Sequence, residues 1–285
     1  MSERTSTMRR RRVLAIDLLR GGAVIAMIMV HTLWLYGDIP TQRDSWLGWV
    51  LNLLGKGTVS FLMAMGFSFM VSRDQSIFGS VRRGVLLMGI GYAMNVLKFI
   101  VPLVAGAVPD AFIAAHAWSR PLSTEQMAHL VLTGDILQLA GVCLLLMGFI
   151  RRWSSNKLTL LGWAAAFALG RHLLAGFRVG APALDHGLDL LWGTEFNVYY
   201  PVFPWFCSIL VGMFFGAWYR DQLEVDADED RLFRGMLVMG LPLTVVGGGL
   251  VLAWPHVHFG DFFHLGAGGI TYLVGLNLLI MWACR

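Results

Sequence analysis

The sequence predicts an all-α protein that crosses a membrane several times. Of its 285 residues, 56% are hydrophobic and 14% are charged, and the mean hydropathy is +0.64. A chain with so little charge cannot surround one hydrophobic core with a polar surface in water. Apolar runs of about 17 to 25 residues recur along it, which is the length of a helix that spans a bilayer. We therefore predict a polytopic helix bundle with about eight spans, built as a single integral-membrane domain over residues 1–285.

Basic residues set the orientation of these spans. If the N-terminus is cytoplasmic, the loops on that side are rich in Arg and Lys, and only Arg43, Arg120 and Arg178 lie in outer loops. This asymmetry follows the positive-inside rule, so the net charge of +4 indicates a lipid bilayer and no nucleic acid. We expect an integral protein of the bacterial inner (plasma) membrane. The predicted spans are 13–36, 57–72, 84–103, 133–150, 158–176, 198–219, 235–254 and 267–284.

The first span carries ionisable residues at membrane depth. Arg20 and His31 are eleven positions apart, so about three helical turns place them on one face with a rise of roughly 16.5 Å. Ionisable groups inside a bilayer are costly and usually functional. In the structural alternative, Asp17 pairs with Arg20 near the inner interface, and His31 is a satisfied polar residue near the outer one.

The segment D-L-L-R-G-x9-H of this span resembles the first helix of a family of membrane acyltransferases. That family includes heparan-α-glucosaminide N-acetyltransferase and the bacterial polysaccharide O-acetyltransferases, and its mark is Arg-x10-His, here Arg20 and His31. The resemblance implies that His31 is catalytic and that acetyl-CoA or another acyl-CoA is the donor, supplied from the cytoplasm. Relatives commonly carry further spans, so the resemblance also implies a chain truncated at the C-terminus.

The next segments add candidate residues. Residues 44–56 are short, apolar and rich in Trp, so we predict a helix in the outer interface, separate from the second span, that partly covers the His31 end. A double Arg before a Gly-containing helix is again similar to the family, and we expect Arg82 and Arg83, with Arg20, to bind the anionic end of CoA. Anchoring to inner headgroups is the alternative for the Arg pair.

The fourth span and the outer loops supply candidates for the acceptor side. Asp135 is a candidate partner for His31, and Asp38 is an alternative; either carboxylate would orient the imidazole of a histidine base. The acceptor is expected to be a carbohydrate-like or other small molecule with a hydroxyl or an amine. Its predicted site residues are Asn95, Gln138, Trp205 and His264.

The last outer loop places His256, His258, Asp261 and His264 close together. Metal binding, hydrogen bonding to the acceptor and a purely structural role all remain open for this cluster, but it matches no closed zinc pattern, so we expect no metal. Two other functions remain open for the chain: a small-molecule or lipid transporter or flippase, and a His-ligated metal or haem protein. A homo-oligomer is also compatible with the sequence.

Overall fold

The computed structural model describes residues 14–55, 57–224 and 229–285, and in this part of the chain the secondary structure is helical apart from one isolated β-bridge. The predicted all-α class is confirmed. The helices are α1 Leu14–Tyr36, α2 Ile39–Arg43, α3 Trp46–Gly55, α4 Thr58–Val71, α5 Ile77–Asn95, α6 Val101–Val104, α7 Asp110–Ala115, α8 Thr124–Leu132, α9 Ile136–Trp153, α10 Leu158–Leu174, α11 Pro182–Trp192, α12 Val202–Glu224, α13 Glu229–Ala253, α14 Pro255–His258 and α15 Ala267–Ala283. A π-helical segment, Val96–Ile100, joins α5 to α6.

The helices agree in position with the predicted spans, and the chain is an integral membrane protein by the length and apolar character of these helices. Five helical runs in the described residues are long and apolar enough to cross a membrane: Trp46–Val71, Ile77–Val104, Ile136–Trp153, Val202–Leu223 and Asp230–Ala253. Three shorter apolar helices are Gly21–Tyr36, Leu158–Leu174 and Ala267–Ala283. The number of crossings stays a prediction.

The centre of the bundle is the packing of α12 against α4 and α10, with α13 and α15 paired beside it. Trp205, Phe206 and Phe215 of α12 are fully buried there. Gly66 of α4 and Gly212 of α12 allow this close approach, because a Cβ at either position would collide with the backbone of the other helix. Small residues at such a contact are typical of packed membrane helices.

Over residues 44–56 the structure describes helix α3, Trp46–Gly55, which is separate from α4 and packs along the outer half of α1. Its predicted place in the outer interface stays a prediction. The indole Nε1 of Trp34 donates to Oδ1 of Asn52 at 3.1 Å, and Val30 packs on Gly55. This antiparallel contact brings α3 beside His31, as expected, but as part of the wall of the bundle.

The start of α9 is tied to the segment before α12. The backbone N–H of Gly134 donates to the Asn197 carbonyl at 2.8 Å, and the Tyr199 N–H donates to the Gly134 carbonyl at 2.8 Å. Asp135 follows at once as the N-cap of α9, with its Oδ1 accepting the Ile136 N–H at 2.8 Å. Hydrogen bonds on both sides therefore hold the backbone at Asp135: those of Gly134 before it and that of the Ile136 N–H after it.

Candidate active site

His31 and Asp135 form a contact between α1 and the start of α9. The His31 Nε2 lies 3.1 Å from Oδ2 of Asp135. The Asp135 side chain retains 14% of its exposure and that of His31 retains 31%, so the carboxylate is enclosed while the imidazole stays accessible. The contact predicted from the sequence is present, whereas Asp38 caps α2 by accepting the Thr41 N–H at 2.9 Å.

Both ring nitrogens of His31 face acceptors. Nδ1 lies 2.8 Å from the Met27 carbonyl oxygen, one turn earlier on α1, and Nε2 faces the Asp135 carboxylate. A carbonyl only accepts hydrogen bonds, so Nδ1 donates to the Met27 carbonyl. Nε2 is therefore the nitrogen that gains or loses a proton beside the Asp135 carboxylate.

Lys98 is a second cation on the same carboxylate. Its Nζ lies 3.1 Å from Oδ2 of Asp135, the oxygen that His31 also contacts. Lys98 lies in the π-helical segment, and such interruptions are frequent at functional sites. Three charged groups from α1, the π-helical segment and the start of α9 therefore meet at one oxygen atom.

Asn95 and Gln138 hold the backbone around Asp135. The Asn95 amide donates to the carbonyls of Val131 at 3.0 Å and Thr133 at 2.8 Å. The Gln138 Oε1 accepts the backbone N–H of Asp135 at 3.1 Å, which completes a capping box at the start of α9. Within the described residues, the buried Gln138 Nε2 has no hydrogen-bond partner.

Two cavities meet at His31 and Asp135. The first, which we call the aromatic cavity, has a volume of about 320 Å³ and runs along α1 from Ala23 past His31 to Trp34. Its other walls are α3, α4 and outer segments that contribute Tyr200, Phe262 and Phe263.

The second, which we call the polar cavity, has a volume of about 260 Å³ and lies between α1, α5 and α9. It extends along α1 to Tyr36 and includes Asn95, Lys98 and Gln138. Since both cavities contain His31 and Asp135, a group placed in either one can contact the pair.

A comparison with protein families decides the kind of protein that carries this site. The family model described as heparan-alpha-glucosaminide N-acetyltransferase, catalytic, matches residues 12–246, which is more than half of the chain. The chain belongs to this family. No curated protein and no solved structure matches the chain. The resemblance predicted from the first span is confirmed, and the protein is a membrane acetyltransferase by family.

The matched region of the acetyltransferase contains His31, Lys98 and Asp135 but ends before the outer loop with Phe262 and Phe263. One end of the aromatic cavity is therefore built by residues outside the family match. The sequence analysis had not assigned Lys98 a role or Phe262 and Phe263 a site. The available signal for Lys98 was a charged residue at the end of an apolar span.

Trp205 and His264, which we expected to bind the acceptor, support the outer loop of the acetyltransferase. The Trp205 Nε1 donates to the Phe263 carbonyl at 2.7 Å, and the His264 Nε2 donates to the Val198 carbonyl at 3.0 Å. Asp261 lies 3.1 Å from Nδ1 of His264. Burial would raise the pKa of Asp261, but hydrogen bonds from His264 outweigh this effect and lower it. Neither Trp205 nor His264 lines the two cavities.

The histidine cluster of the last outer loop separates in the folded acetyltransferase. His258 Nδ1 accepts the Gly268 N–H at 3.1 Å, and His172 Nε2 accepts the Ala267 N–H at 3.1 Å, so these rings cap α15. His256 is exposed, and His264 lies against Asp261. Among residues 14–55, 57–224 and 229–285, no group of three or more His, Cys, Asp or Glu residues is placed to hold a metal ion.

The predicted CoA-binding arginines lie near the inner ends of their helices. Arg20 lies on the α1 backbone, but its side chain falls outside the described residues. Arg82 is exposed. Arg83 donates to the carbonyls of Asp74 at 2.8 Å and Gly79 at 3.2 Å, and its guanidinium lies 5.8 Å from the ring centroid of Phe69 in α4. Arg83 therefore lies beside α4, and the first turn of α4 lines the aromatic cavity.

Proposed function

We propose that the protein transfers an acyl group from cytoplasmic acyl-CoA to a hydroxyl or amine, with His31 as the general base. The observation that carries this proposal is the His31–Asp135 pair at the junction of two cavities. Acyl transfer needs a base for the nucleophile and room for two substrates around it. The family supports acetyl as the acyl group.

The hydrogen bonds of His31 support a role in proton transfer. In the neutral ring, the Met27 carbonyl keeps the proton on Nδ1, so Nε2 carries the lone pair that accepts a proton once the Asp135 carboxylate moves aside. As the acceptor hydroxyl or amine attacks the thioester carbonyl, its proton moves to Nε2. The imidazolium is then stabilised by Asp135, in the arrangement that the structure has. Collapse of the tetrahedral intermediate breaks the C–S bond, and the departing CoA sulfur takes the proton back.

Asp135 and Lys98 act on this step in different ways. Asp135 contacts the reacting ring directly, and Lys98 holds the carboxylate in place and balances its charge when His31 is neutral. A buried carboxylate without a cation would be costly, so Lys98 preserves the site in the part of the cycle in which His31 has lost its proton.

We place the donor in the aromatic cavity. This cavity reaches Ala23, three positions from Arg20, and so it extends closer to Arg20 than the polar cavity does. Arg20, Arg82 and Arg83 would bind the phosphates of CoA, and the pantetheine arm would carry the thioester outward to His31. The rise of roughly 16.5 Å between Arg20 and His31 suits an extended arm.

We place the acceptor in the polar cavity. This cavity reaches Tyr36, the last residue of α1, at the opposite end of the helix from Arg20. The partly exposed Lys98 offers a hydrogen-bond donor to a carbohydrate-like or other small polar acceptor. The two substrates would then arrive from opposite faces of a bacterial inner membrane.

Purified protein in nanodiscs tests this function. We would measure release of the CoA thiol from acetyl-CoA with glucosamine and other small amines and alcohols as acceptors. His31→Ala is expected to lower the acceptor-dependent rate by about 10² to 10⁴, which is the usual contribution of a general base. His129→Ala, a half-buried histidine of α8 outside both cavities, is the matched control and should keep full activity. Full activity of His31→Ala would rule out the catalytic assignment.

A further inference from the structure

We infer that the outer end of the aromatic cavity is an acyl-chain site, and that the protein takes donors with an apolar acyl chain longer than acetyl. This inference rests on the proposed function, because it needs the donor thioester at His31. In that position the pantetheine arm fills the part of the cavity between Ala23 and His31. The chain beyond the thioester carbonyl then points toward Trp34 and Phe263.

The polar groups at this end of the cavity are already paired with protein atoms. Trp34 Nε1 donates to Asn52 Oδ1 at 3.1 Å, and the Asn52 amide donates to the Gln42 carbonyl at 3.1 Å. The Thr58 hydroxyl donates to the Gly55 carbonyl at 2.8 Å. A hydroxylated acceptor placed here would leave its own polar groups unsatisfied, whereas an alkyl chain would lose nothing.

The size of the cavity exceeds what an acetyl group needs. At about 320 Å³, it has more than twice the volume of the ~150 Å³ apolar cavity that accommodates benzene. Part of this volume lies beyond His31, beside Trp34 and Phe263, where the acyl chain would extend. The aromatic rings that enclose this space form edge contacts, with Trp34 and Phe263 centroids 5.7 Å apart and Tyr200 and Phe263 centroids 5.3 Å apart.

Phe262 and Phe263 lie in the outer loop beyond residue 246, where the family match ends. The same loop is anchored by the Trp205 bond to the Phe263 carbonyl, which depends on the backbone and not on the ring. The ring of Phe263 can therefore be changed without removing the anchor of the loop.

Binding of S-alkyl-CoA thioethers, from ethyl to dodecyl, tests the inference without an acceptor. We would titrate them into the protein in nanodiscs by calorimetry, with empty nanodiscs to subtract partition into lipid. Kd is expected to fall about three- to fourfold for each added CH2 until the chain fills the end of the cavity, and then to level off. Phe263→Ala should move this optimum to longer chains and Phe263→Trp to shorter ones. Phe259→Ala, on the same loop but outside the cavity, should leave it unchanged.

The results separate this inference from the proposed function. A Kd that is the same for all chain lengths, or an optimum that Phe263→Ala and Phe263→Trp do not move, would overturn the acyl-chain site and leave CoA as the donor. Absence of binding by every thioether would overturn the donor itself. If either Phe263 variant fails to fold, the leveling of Kd in the wild-type protein, compared with the continuous fall for lipid partition alone, decides the question.

Discussion

His31 has its two ring nitrogens assigned to different tasks. Nδ1 is bound to the Met27 carbonyl of the same helix, and Nε2 faces Asp135, which lies 104 positions away in the chain. In the proposed mechanism the backbone carbonyl fixes the tautomer, while the carboxylate stabilises the charge that the ring acquires. In the proposed reaction, the Asp135 carboxylate must move away from Nε2 so that the acceptor can reach this nitrogen. The partial exposure of His31 leaves space for this movement.

Asp135→Asn is expected to lower kcat by about a hundredfold or more, because the amide cannot balance the imidazolium that forms in the transition state. The amide oxygen can still accept the Ile136 N–H, so the start of α9 should be retained. Steady-state acetyl transfer and a thermal melt would be measured together. Asp38→Asn, which changes the N-cap of α2 away from the site, is the control. An Asp135→Asn protein with a normal kcat would show that the pair has no catalytic role.

The arginines at the start of α5 should act on donor binding. Replacing Arg82 and Arg83 together by Gln is expected to raise KM for acetyl-CoA about tenfold and to leave kcat nearly unchanged, because a phosphate contact is the same in ground and transition states. Arg152→Gln, an exposed arginine of the inner end of α9, is the control. An unchanged KM in the double variant would assign Arg82 and Arg83 to anchoring at the headgroups.

Among the elements, α15 has an unusual N-terminus that links its stability to pH. Its first two backbone N–H groups donate to ring nitrogens of His172 and His258, and a protonated ring nitrogen cannot accept. Burial lowers the pKa of His258 below its ordinary value, and the nearby His172 lowers it further. The folded protein thus binds fewer protons at this ring than the unfolded chain, so its stabilising effect is complete above about pH 6.5.

We expect the melting temperature to fall as the pH decreases below about 6.5. The free energy of unfolding decreases by up to about 1.4 kcal/mol per pH unit from this one group. His258→Asn should melt at a lower temperature at pH 8 and show a weaker dependence on pH. His256→Asn, an exposed neighbour, should behave like the wild type. The idea fails if His258→Asn retains the full dependence on pH.

At the scale of the whole molecule, the sequence was sufficient for the helices and for the central contact. The all-α class and the helix positions follow from apolar length, and Asp135 was predicted as the partner of His31. The packing of α3 along α1 was not predictable, since a Trp-rich apolar helix suits both a membrane interface and the wall of a bundle. Lys98 and Phe263 join the site only through contacts between distant segments, which no local pattern encodes.

The same limit applies to the residues predicted for the acceptor. Asn95 and Gln138 were identified as polar residues in apolar helices, and they do line the polar cavity. Their hydrogen bonds to the backbone near Asp135 depend on the register between α5 and α9, which the spacing in one helix does not specify. Trp205 and His264 lie one layer farther out, where they anchor the loop that carries Phe263. Their predicted contact with the acceptor stays a prediction.

We propose that the two cavities receive their substrates from opposite ends of α1, and this is the central claim about how the molecule works. Proteoliposomes of known orientation test it most directly, with acetyl-CoA confined to the face that bears the basic loops and glucosamine or another accepted acceptor confined to the other face. We predict acetylated product in this arrangement and none when the two reagents are exchanged. Product that forms only when both reagents share the outer compartment would contradict the claim, even for an active acetyltransferase.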